Sequence, residues 1–143
     1  MNKKLHILFL CSWYPSDEFP TNGDFIERHA NAISSIHKVT VLHIVSSNKN
    51  RITNDDISEN LSIHIAYVKH TNNSVTKLFK FLNAYKSIIR SLDSIDILHL
   101  NVLYPFGVLA LYQKMFYKTP YIISEHWTGY IRTIKMSQLQ KLI

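Results

Sequence analysis

The side chains best suited to chemistry stand together near the end of the chain, in the segment SEHWTGY. Glu125 and His126 supply a carboxylate and an imidazole, and an imidazole exchanges hydrogen bonds with hydroxyl groups near neutral pH. Trp127 adds an apolar face on which a ring of a ligand can stack. A structural histidine beside an ordinary packed tryptophan explains the same residues about as well. The segment is therefore a candidate site for a hydroxylated ligand.

A second candidate stretch, NGDFIE, begins at Asn22. Gly23 permits a tight turn and lets a ligand approach the backbone closely. We expect Asp24 to cap a helix, with Glu27 three residues later in a variant of the capping box. A helix start attracts anions, but the carboxylate of Asp24 would compete with a phosphate for the same N–H groups. An ordinary helix start is the commoner explanation of such a stretch.

A third candidate lies at the end of the apolar run ILHLN. Asn101 is at the tip of this run, whereas His99 lies within it and is expected to pack in the core. Pro105 suits the first turn of a following helix, and Gly107 stands beside it. The sequence thus predicts a second helix start close to Asn101.

Several common sites are absent from the sequence. Its glycines, Gly23, Gly107 and Gly129, allow neither the dinucleotide fingerprint nor a P-loop. No His or Cys spacing indicates a metal site. Cys11 is the single cysteine, so no disulfide forms within the chain, which fits a reducing compartment. The net charge of +6 favours anionic partners, but scattered basic residues without an RNA-binding motif argue against nucleic acid.

The elements that must position these residues alternate along the chain. Apolar runs predict strands at 5–11, 38–45, 61–68, 96–102 and 120–125, and helical patterns occupy 24–36, 75–92 and 105–117. We expect residues 46–60 to form a polar loop. The alternation predicts an α/β fold, a Rossmann-like parallel sheet of about five or more strands with helices on both faces. Ligands bind such sheets beyond the carboxyl ends of the strands, where all three candidates fall.

The helical segment 75–92 has an apolar half and a basic half. Its apolar half contains Val75, Leu78 and Phe79 together with residues further along the helix. We expect this half to cover the sheet and the basic half to face water. A basic amphipathic helix can also lie on an anionic membrane, and peripheral membrane contact through 75–92 stays an alternative. No segment approaches the length of a membrane span.

Three motifs together resemble one family: WYPS with TNGDFIERHANAI, ILHLN with YPFGVLA, and PYIISEHWTGY. In order and spacing they look like the N-terminal half of retaining GT-B glycosyltransferases of family 4. The resemblance implies that residues 1–143 are an acceptor-side, Rossmann-like domain. It also implies a C-terminal donor-binding domain that carries a Glu-x7-Glu signature. That signature is not in this sequence, so we expect the chain alone to have little transferase activity.

The resemblance also assigns roles to residues. The segment Asn22, Gly23 and Asp24 would match the loop near the donor diphosphate, although many family members have two adjacent glycines there. His126 would match the active-site histidine, which contacts the transferring sugar or the acceptor hydroxyl. The acceptor side would be formed by Trp13, Tyr14, Asn101, Gly107, Glu125 and Trp127.

The implied reaction moves a hexosyl group from a nucleotide sugar to a glycan or lipid-linked acceptor in polysaccharide or cell-surface glycan synthesis, with no metal and no cofactor. We expect a cytoplasmic protein, with contact at the inner face of the membrane if 75–92 binds lipid. Two alternatives stay open. One is a non-catalytic binding or membrane-docking module that pairs with a separate donor-binding chain. The other is an unrelated Rossmann-like enzyme that uses small phosphorylated ligands.

Overall fold

The computed structural model describes residues 3–126, and these form a sheet of six strands flanked by three helices. The strands are β1 (His6–Cys11), β2 (Lys38–Ser47), β3 (Arg51–Ser58), β4 (Leu61–Lys69), β5 (Ile97–Asn101) and β6 (Tyr121–Ser124). The helices are α1 (Asp24–Ser34), α2 (Ser74–Ile89) and α3 (Gly107–Tyr117).

The strand order is β3-β4-β2-β1-β5-β6, and every neighbouring pair is parallel except β3 and β4. The prediction of a Rossmann-like parallel sheet is thus confirmed. From β1 the chain moves outward to β2 and β4, and it then returns to β5 on the other side of β1. The connections that leave β1 and β5 therefore diverge, and this is where α/β sheets of this kind form a ligand crevice.

The prediction of a polar loop at 46–60 is wrong, because Arg51–Ser58 forms the edge strand β3. This strand pairs antiparallel with β4 and has a register shift between Asp56 and Ser58. Nearly all its side chains are exposed, so it lacks the hydrophobic alternation from which strands are recognised. Charged residues such as Asp55 are suited to an edge because they discourage pairing with a further strand.

Each face of the sheet has its own core. On the α1 face, Ile26 and Ala30 of the helix pack on alternate residues of the strands, among them Phe9, Val41 and Ile63. On the opposite face, α2 and α3 cover the intervening residues, among them Leu8, Leu10, Leu42, Leu98 and Leu100. Such near-continuous burial explains the apolar strand sequences. The prediction of helices on both faces is confirmed.

The start of α3 differs from its prediction. The helix begins at Gly107 with Phe106 at the N-cap, so Pro105 precedes the helix instead of occupying its first turn. The ring of Phe106 is buried and lies edge-on to Phe81 of α2, with 6.0 Å between ring centroids. Packing of the Phe106 ring against α2 thus accompanies the later start of the helix.

The apolar face of α2 is only partly used by the sheet. Phe81, Tyr85, Ile88 and Ile89 are buried, as expected for a sheet-covering helix. The apolar residues of the first turns, Val75, Leu78 and Phe79, are instead exposed. Leu78 lies on the same side of the helix as the buried Tyr85, seven residues later, so burial is confined to the second half of α2. The expectation holds for that half of the helix and is wrong for the first.

Candidate functional site

The turn at Gly23 is required by the packing of the chain itself. Gly23 is buried and has φ 74° and ψ 27°, in the left-handed region that favours glycine. A Cβ atom at this position would lie 2.7 Å from the carbonyl carbon of Trp13 and 2.8 Å from its oxygen. Packing against Trp13 is thus enough to explain why glycine occupies position 23. The approach of Gly23 to a donor phosphate stays a prediction.

The prediction that Asp24 caps α1 is wrong. Gly23 is the N-cap residue, and no side chain accepts a capping hydrogen bond there. Asp24 is the first residue of the helix, and its Oδ2 accepts a hydrogen bond from Nη1 of Arg28 at 2.7 Å. Asn22 is half-buried, and its N–H donates to the carbonyl of Phe19 at 3.2 Å. Asp24 and Glu27 are nonetheless well placed, because acidic groups in the first turn complement the helix dipole.

The long loop from β1 to α1 crosses the carboxyl ends of the outer strands. The backbone N–H of Asp17 donates to the hydroxyl of Tyr67 in β4 at 3.2 Å. The carboxylate of Asp17 pairs with Arg51 of β3. Glu18 accepts a hydrogen bond from the hydroxyl of Ser47, at the end of β2, at 2.6 Å. The loop thus covers the edge of the sheet at β2, β3 and β4. Other segments lie at β5 and β6.

The two aromatic residues that open this loop differ in exposure. Tyr14 is 2% exposed and belongs to the core of the α1 face, and burial raises the pKa of its hydroxyl. Trp13 is half-buried and packs against the same core. The predicted contact of these residues with an acceptor stays a prediction.

The loops after β1, β5 and β6 are joined by hydrogen bonds. The N–H of Ser12 donates to the carbonyl of Asn101 at 3.0 Å, and its hydroxyl donates to the carbonyl of Val102 at 2.7 Å. The N–H of Val102 donates to the carbonyl of Ser124 at 2.9 Å. Val102 has φ 67°, which is strained for a β-branched residue. Sequence analysis missed Ser12 and Val102, because neither residue type signals such a role.

The predicted site residues Asn101, Gly107 and Glu125 lie around this crossing. Asn101 is fully buried; its Nδ2 donates to the carbonyl of His99 at 3.3 Å, and its Oδ1 has no partner among the described residues. Oε2 of Glu125 accepts from the N–H of Leu103 at 3.0 Å, which ties the segment after β6 to the loop after β5. Gly107 is buried at the start of α3. Trp127 lies outside the described residues.

His126 lies against α1 in the structure. Its ring is 4.6 Å from that of Phe25 between centroids, at an interplanar angle of 65°. Phe25 also contacts His29, one turn further along α1, with centroids 6.3 Å apart. The start of α1 and the segment after β6 thus meet at Phe25. Sequence analysis missed Phe25 and His29, although their spacing on α1 would have placed them on one face of the helix.

A third imidazole, that of His99, lies near those of His29 and His126. Nε2 of His99 and the hydroxyl of Ser124 share a hydrogen bond of 2.8 Å. Burial lowers the pKa of His99, and nearby His29 and His126 lower it further. Neutral imidazoles can donate or accept hydrogen bonds to hydroxyl groups. No group of His, Cys, Asp or Glu within residues 3–126 is arranged to hold a metal ion.

A cleft lies at the opposite, amino-terminal edge of the sheet. Its volume is about 560 Å³, and its lining includes His6, Thr40, Ser62 and His64. The hydroxyl of Thr40 bonds to Nε2 of His6 at 2.9 Å and to the hydroxyl of Ser62 at 3.1 Å. These polar groups satisfy one another, and none of the predicted site residues lies there.

The helix start at Gly23, the buried Asn101 and the exposed His126 all fall within residues 22–143. That range matches the family model described as glycosyl transferase 4-like. The chain belongs to this family. The match confirms the resemblance to an N-terminal domain of a family 4 GT-B protein, and it makes the chain a glycosyltransferase-type domain. No curated protein matches the chain.

Proposed function

We propose that this chain is the acceptor-side domain of a retaining hexosyltransferase. In this proposal a hexosyl group passes from a nucleotide sugar to a glycan or lipid-linked acceptor during the synthesis of polysaccharide or cell-surface glycan. The observation that carries the proposal is the contact between Phe25 and His126, which brings the start of α1 and the segment after β6 together. Both belong to the range that matches the glycosyl transferase 4-like family.

His126 would contact the transferring sugar or the acceptor hydroxyl. It is exposed, as a group that meets a substrate must be, and one side of its ring is held by Phe25. His29 and His126 lie close enough to His99 for their charges to lower its pKa. A neutral His126 could accept a hydrogen bond from a sugar hydroxyl, since imidazole nitrogens take either role.

The donor would be bound chiefly by a second domain of the GT-B type, with the turn at Asn22, Gly23 and Asp24 near its diphosphate. Two features indicate that this turn lies near the diphosphate without binding it directly. Gly23 is already in contact with the backbone of Trp13, and the carboxylate of Asp24 is exposed beside the helix start. No metal or cofactor has a part in this proposal. A cytoplasmic location fits the single cysteine.

The test is a transfer assay on the complete transferase that contains this chain. The donors are UDP-glucose, UDP-galactose and GDP-mannose, and the acceptor is a lipid-linked oligosaccharide fraction. His126→Ala should lower kcat/KM about tenfold to a hundredfold, the loss expected when a buried or substrate-bound hydrogen bond is removed. His70→Ala is the matched control, because His70 is also exposed but lies before α2.

Unchanged transfer by His126→Ala, with activity present in the parent protein, would contradict the assigned role of His126. An equal loss in both histidine variants would point to a general loss of structure. Absence of hexosyl transfer from all three donors, with the protein folded by circular dichroism, would count against the hexosyltransferase itself.

A further inference from the structure

The edge strand β3 contributes little to the cores of the sheet. Seven of its eight residues are exposed, so burial of apolar surface does not account for the presence of this strand. Its antiparallel pairing with β4 places the start of β3 at the carboxyl edge of the sheet, with Arg51 opposite Tyr67. β3 thus carries a basic residue to the edge at which ligands bind sheets of this kind.

Arg51 joins β4 to the loop between β1 and α1. Its guanidinium carbon lies 4.0 Å from the centroid of the Tyr67 ring, and its Nη2 pairs with the carboxylate of Asp17. A guanidinium can do both because it is planar and its charge is delocalised. Tyr67 is buried, and its hydroxyl accepts a hydrogen bond from the N–H of Asp17 at 3.2 Å. Asp17 is therefore held through both its backbone and its side chain.

The same loop presents the ring of Phe19 to water. Phe19 is 55% exposed. Its N–H donates to the carbonyl of Ser16 at 3.1 Å, and its carbonyl accepts from the N–H of Ser16 at 3.2 Å. Glu18, just before it, is joined to Ser47 at the end of β2. An exposed ring on a backbone that is fixed in this way loses little freedom when a ligand binds, and this favours binding.

The residues next to Phe19 indicate the kind of ligand. Asp17 and Glu18, two exposed carboxylates, directly precede it. Carboxylate oxygens accept hydrogen bonds from hydroxyl groups, and a sugar also has an apolar C–H face on which an aromatic ring can stack. A lipid tail would match the Phe19 ring but would bring no donor to the carboxylates. Among residues 3–126 no helix is long and apolar enough to cross a bilayer.

The loop and His126 lie at different strands of the carboxyl edge. The loop contacts Ser47 at the end of β2, whereas His126 follows Ser124 at the end of β6. Three strand spacings separate β2 from β6 in the order β2-β1-β5-β6, which is about 14 Å at about 4.8 Å each. This span is longer than one monosaccharide. A ligand that reaches from His126 to Phe19 therefore contains more than one sugar unit.

We propose that Phe19 forms a distal subsite for the acceptor, in which its ring stacks on a sugar unit beyond the one that reacts. Arg51 is a positioning residue that holds the loop for this contact. The proposal rests on the proposed function, in which the reacting end of the acceptor lies at His126. It adds that the acceptor carries an oligosaccharide.

The test compares two kinds of acceptor in the complete transferase that contains this chain. One is the lipid-linked oligosaccharide fraction, and the other is a set of octyl glycosides with a single sugar. Phe19→Ala should raise KM for the oligosaccharide about fivefold and leave kcat and the KM for the octyl glycosides unchanged. Phe19→Tyr, which keeps an aromatic ring, should behave like the parent protein. Phe116→Ala is the matched control, because Phe116 is also exposed but lies near the end of α3.

Arg51→Gln tests the positioning role. It should raise KM for the oligosaccharide and speed up amide hydrogen exchange in residues 16–19, and Arg51→Lys should restore part of both. When Phe19 is already replaced by alanine, Arg51→Gln should raise KM no further, because both changes act on one contact. The matched control is Lys38→Gln, which breaks the exposed ion pair with Asp93 at the opposite edge of the sheet.

The subsite is overturned if Phe19→Ala leaves KM for the oligosaccharide unchanged or raises KM equally for both kinds of acceptor. The role of Arg51 is overturned if its substitution has the same effect with and without the Phe19 ring. Circular dichroism of every variant excludes unfolding as the cause. A loss of transfer with His126→Ala but no change with Phe19→Ala would remove this subsite and keep the proposed function. Absence of transfer in the parent protein would remove both.

Discussion

Two buried tyrosines, one on each face of the sheet, differ in whether their hydroxyl groups have hydrogen-bond partners. The hydroxyl of Tyr85, on the buried side of α2, donates to Oε1 of Gln113, whose Nε2 donates in turn to the hydroxyl of Thr119 at 3.1 Å. The hydroxyl of Tyr14, beneath the loop on the α1 face, has no partner among residues 3–126. A buried polar group without a partner costs about 1–3 kcal/mol. The Tyr14 hydroxyl should therefore lower the free energy of unfolding, whereas the hydrogen-bonded Tyr85 hydroxyl should not.

The contrast extends beyond the tyrosines. Within the described part of the chain, the buried side-chain atoms without a partner are the hydroxyl of Tyr14, Nε2 of His43 and Oδ1 of Asn101. Strand alternation puts His43 and Asn101 on the α1 face, and Tyr14, in the loop after β1, belongs to the core of the same face. Such groups are commonest at functional sites and around unassigned waters. Among the described residues, these three unpartnered buried atoms all belong to the α1 side, and none belongs to the α2–α3 side.

The largest effect is expected at Gly23, on which the α1 side depends. Gly23→Ala should lower the free energy of unfolding by about 3 kcal/mol, because alanine is strained at φ 74° and its Cβ would collide with the backbone of Trp13. Gly107→Ala, in the regular helix α3, should cost far less, since alanine is favoured in helices. Urea unfolding of both variants measures the difference. Equal losses would mean that the turn at Gly23 is not the constraint described here.

The pH dependence of stability should originate mainly on the α1 face. Burial lowers the pKa of His43 from 6.5 to about 4, only partly offset by its hydrogen bond to the carbonyl of Cys11. Between these values the unfolded chain binds more protons than the folded chain, so stability rises with pH across this window. His43 should contribute up to about 3 kcal/mol at pH 7, and this contribution is lost as the pH falls through 6.5 to about 4.

Urea unfolding between pH 4 and pH 7, on the parent chain and on His43→Leu, tests this origin. The variant should show a much flatter dependence on pH, whatever its stability at pH 7. A residual slope of the same sign is expected from His6, His64 and His99, because burial lowers the pKa of each. A slope that His43→Leu leaves unchanged would locate the titration elsewhere.

Removing one hydroxyl from each tyrosine compares the two faces directly. Tyr85→Phe should lower the free energy of unfolding by about 1–2 kcal/mol, because Gln113 loses a buried partner. Tyr14→Phe should leave stability unchanged or raise it, since its hydroxyl is buried without a partner. Thermal unfolding with calorimetry measures both. A loss at Tyr14 as large as that at Tyr85 would show that an ordered water or another group satisfies the Tyr14 hydroxyl, and the contrast between the faces would fall.

The sequence predicted the parallel strands and their helices because these elements are buried on regular patterns. β1, β2, β4 and β5 have near-continuous apolar sequences, and each was predicted within two residues of its observed bounds. β3 was missed, because a strand exposed on both sides carries no such pattern. The alternation of strands and helices likewise predicted that residues around Gly23, Asn101 and His126 lie at one edge, since parallel strands put their carboxyl ends together.

What could not be predicted depends on contacts between distant segments. Val102 and Ser12 have ordinary residue types, and they come together because β1 pairs with β5, with Cys11 opposite Asn101. The exposure of Phe79 was missed for a similar reason. A helical wheel shows how wide an apolar face is, but the width that a sheet covers depends on how the helix is rotated against it. The collision that makes Gly23 obligatory also requires the backbone of Trp13, ten residues earlier.

The smallest effects are expected at the two helix starts, which again differ between the faces. Asn73 caps α2, with Oδ1 accepting from the N–H of Thr76 at 2.9 Å, so Asn73→Ala should cost about 1 kcal/mol. Asp24 has only an exposed ion pair with Arg28, and Asp24→Ala should cost no more than about 0.5 kcal/mol. High salt should remove most of the Asp24 effect and little of the Asn73 effect. If Asp24→Ala instead cost as much as Asn73→Ala in high salt, Asp24 would be capping α1 in solution. Its carboxylate would then occupy the N–H groups that a donor phosphate requires.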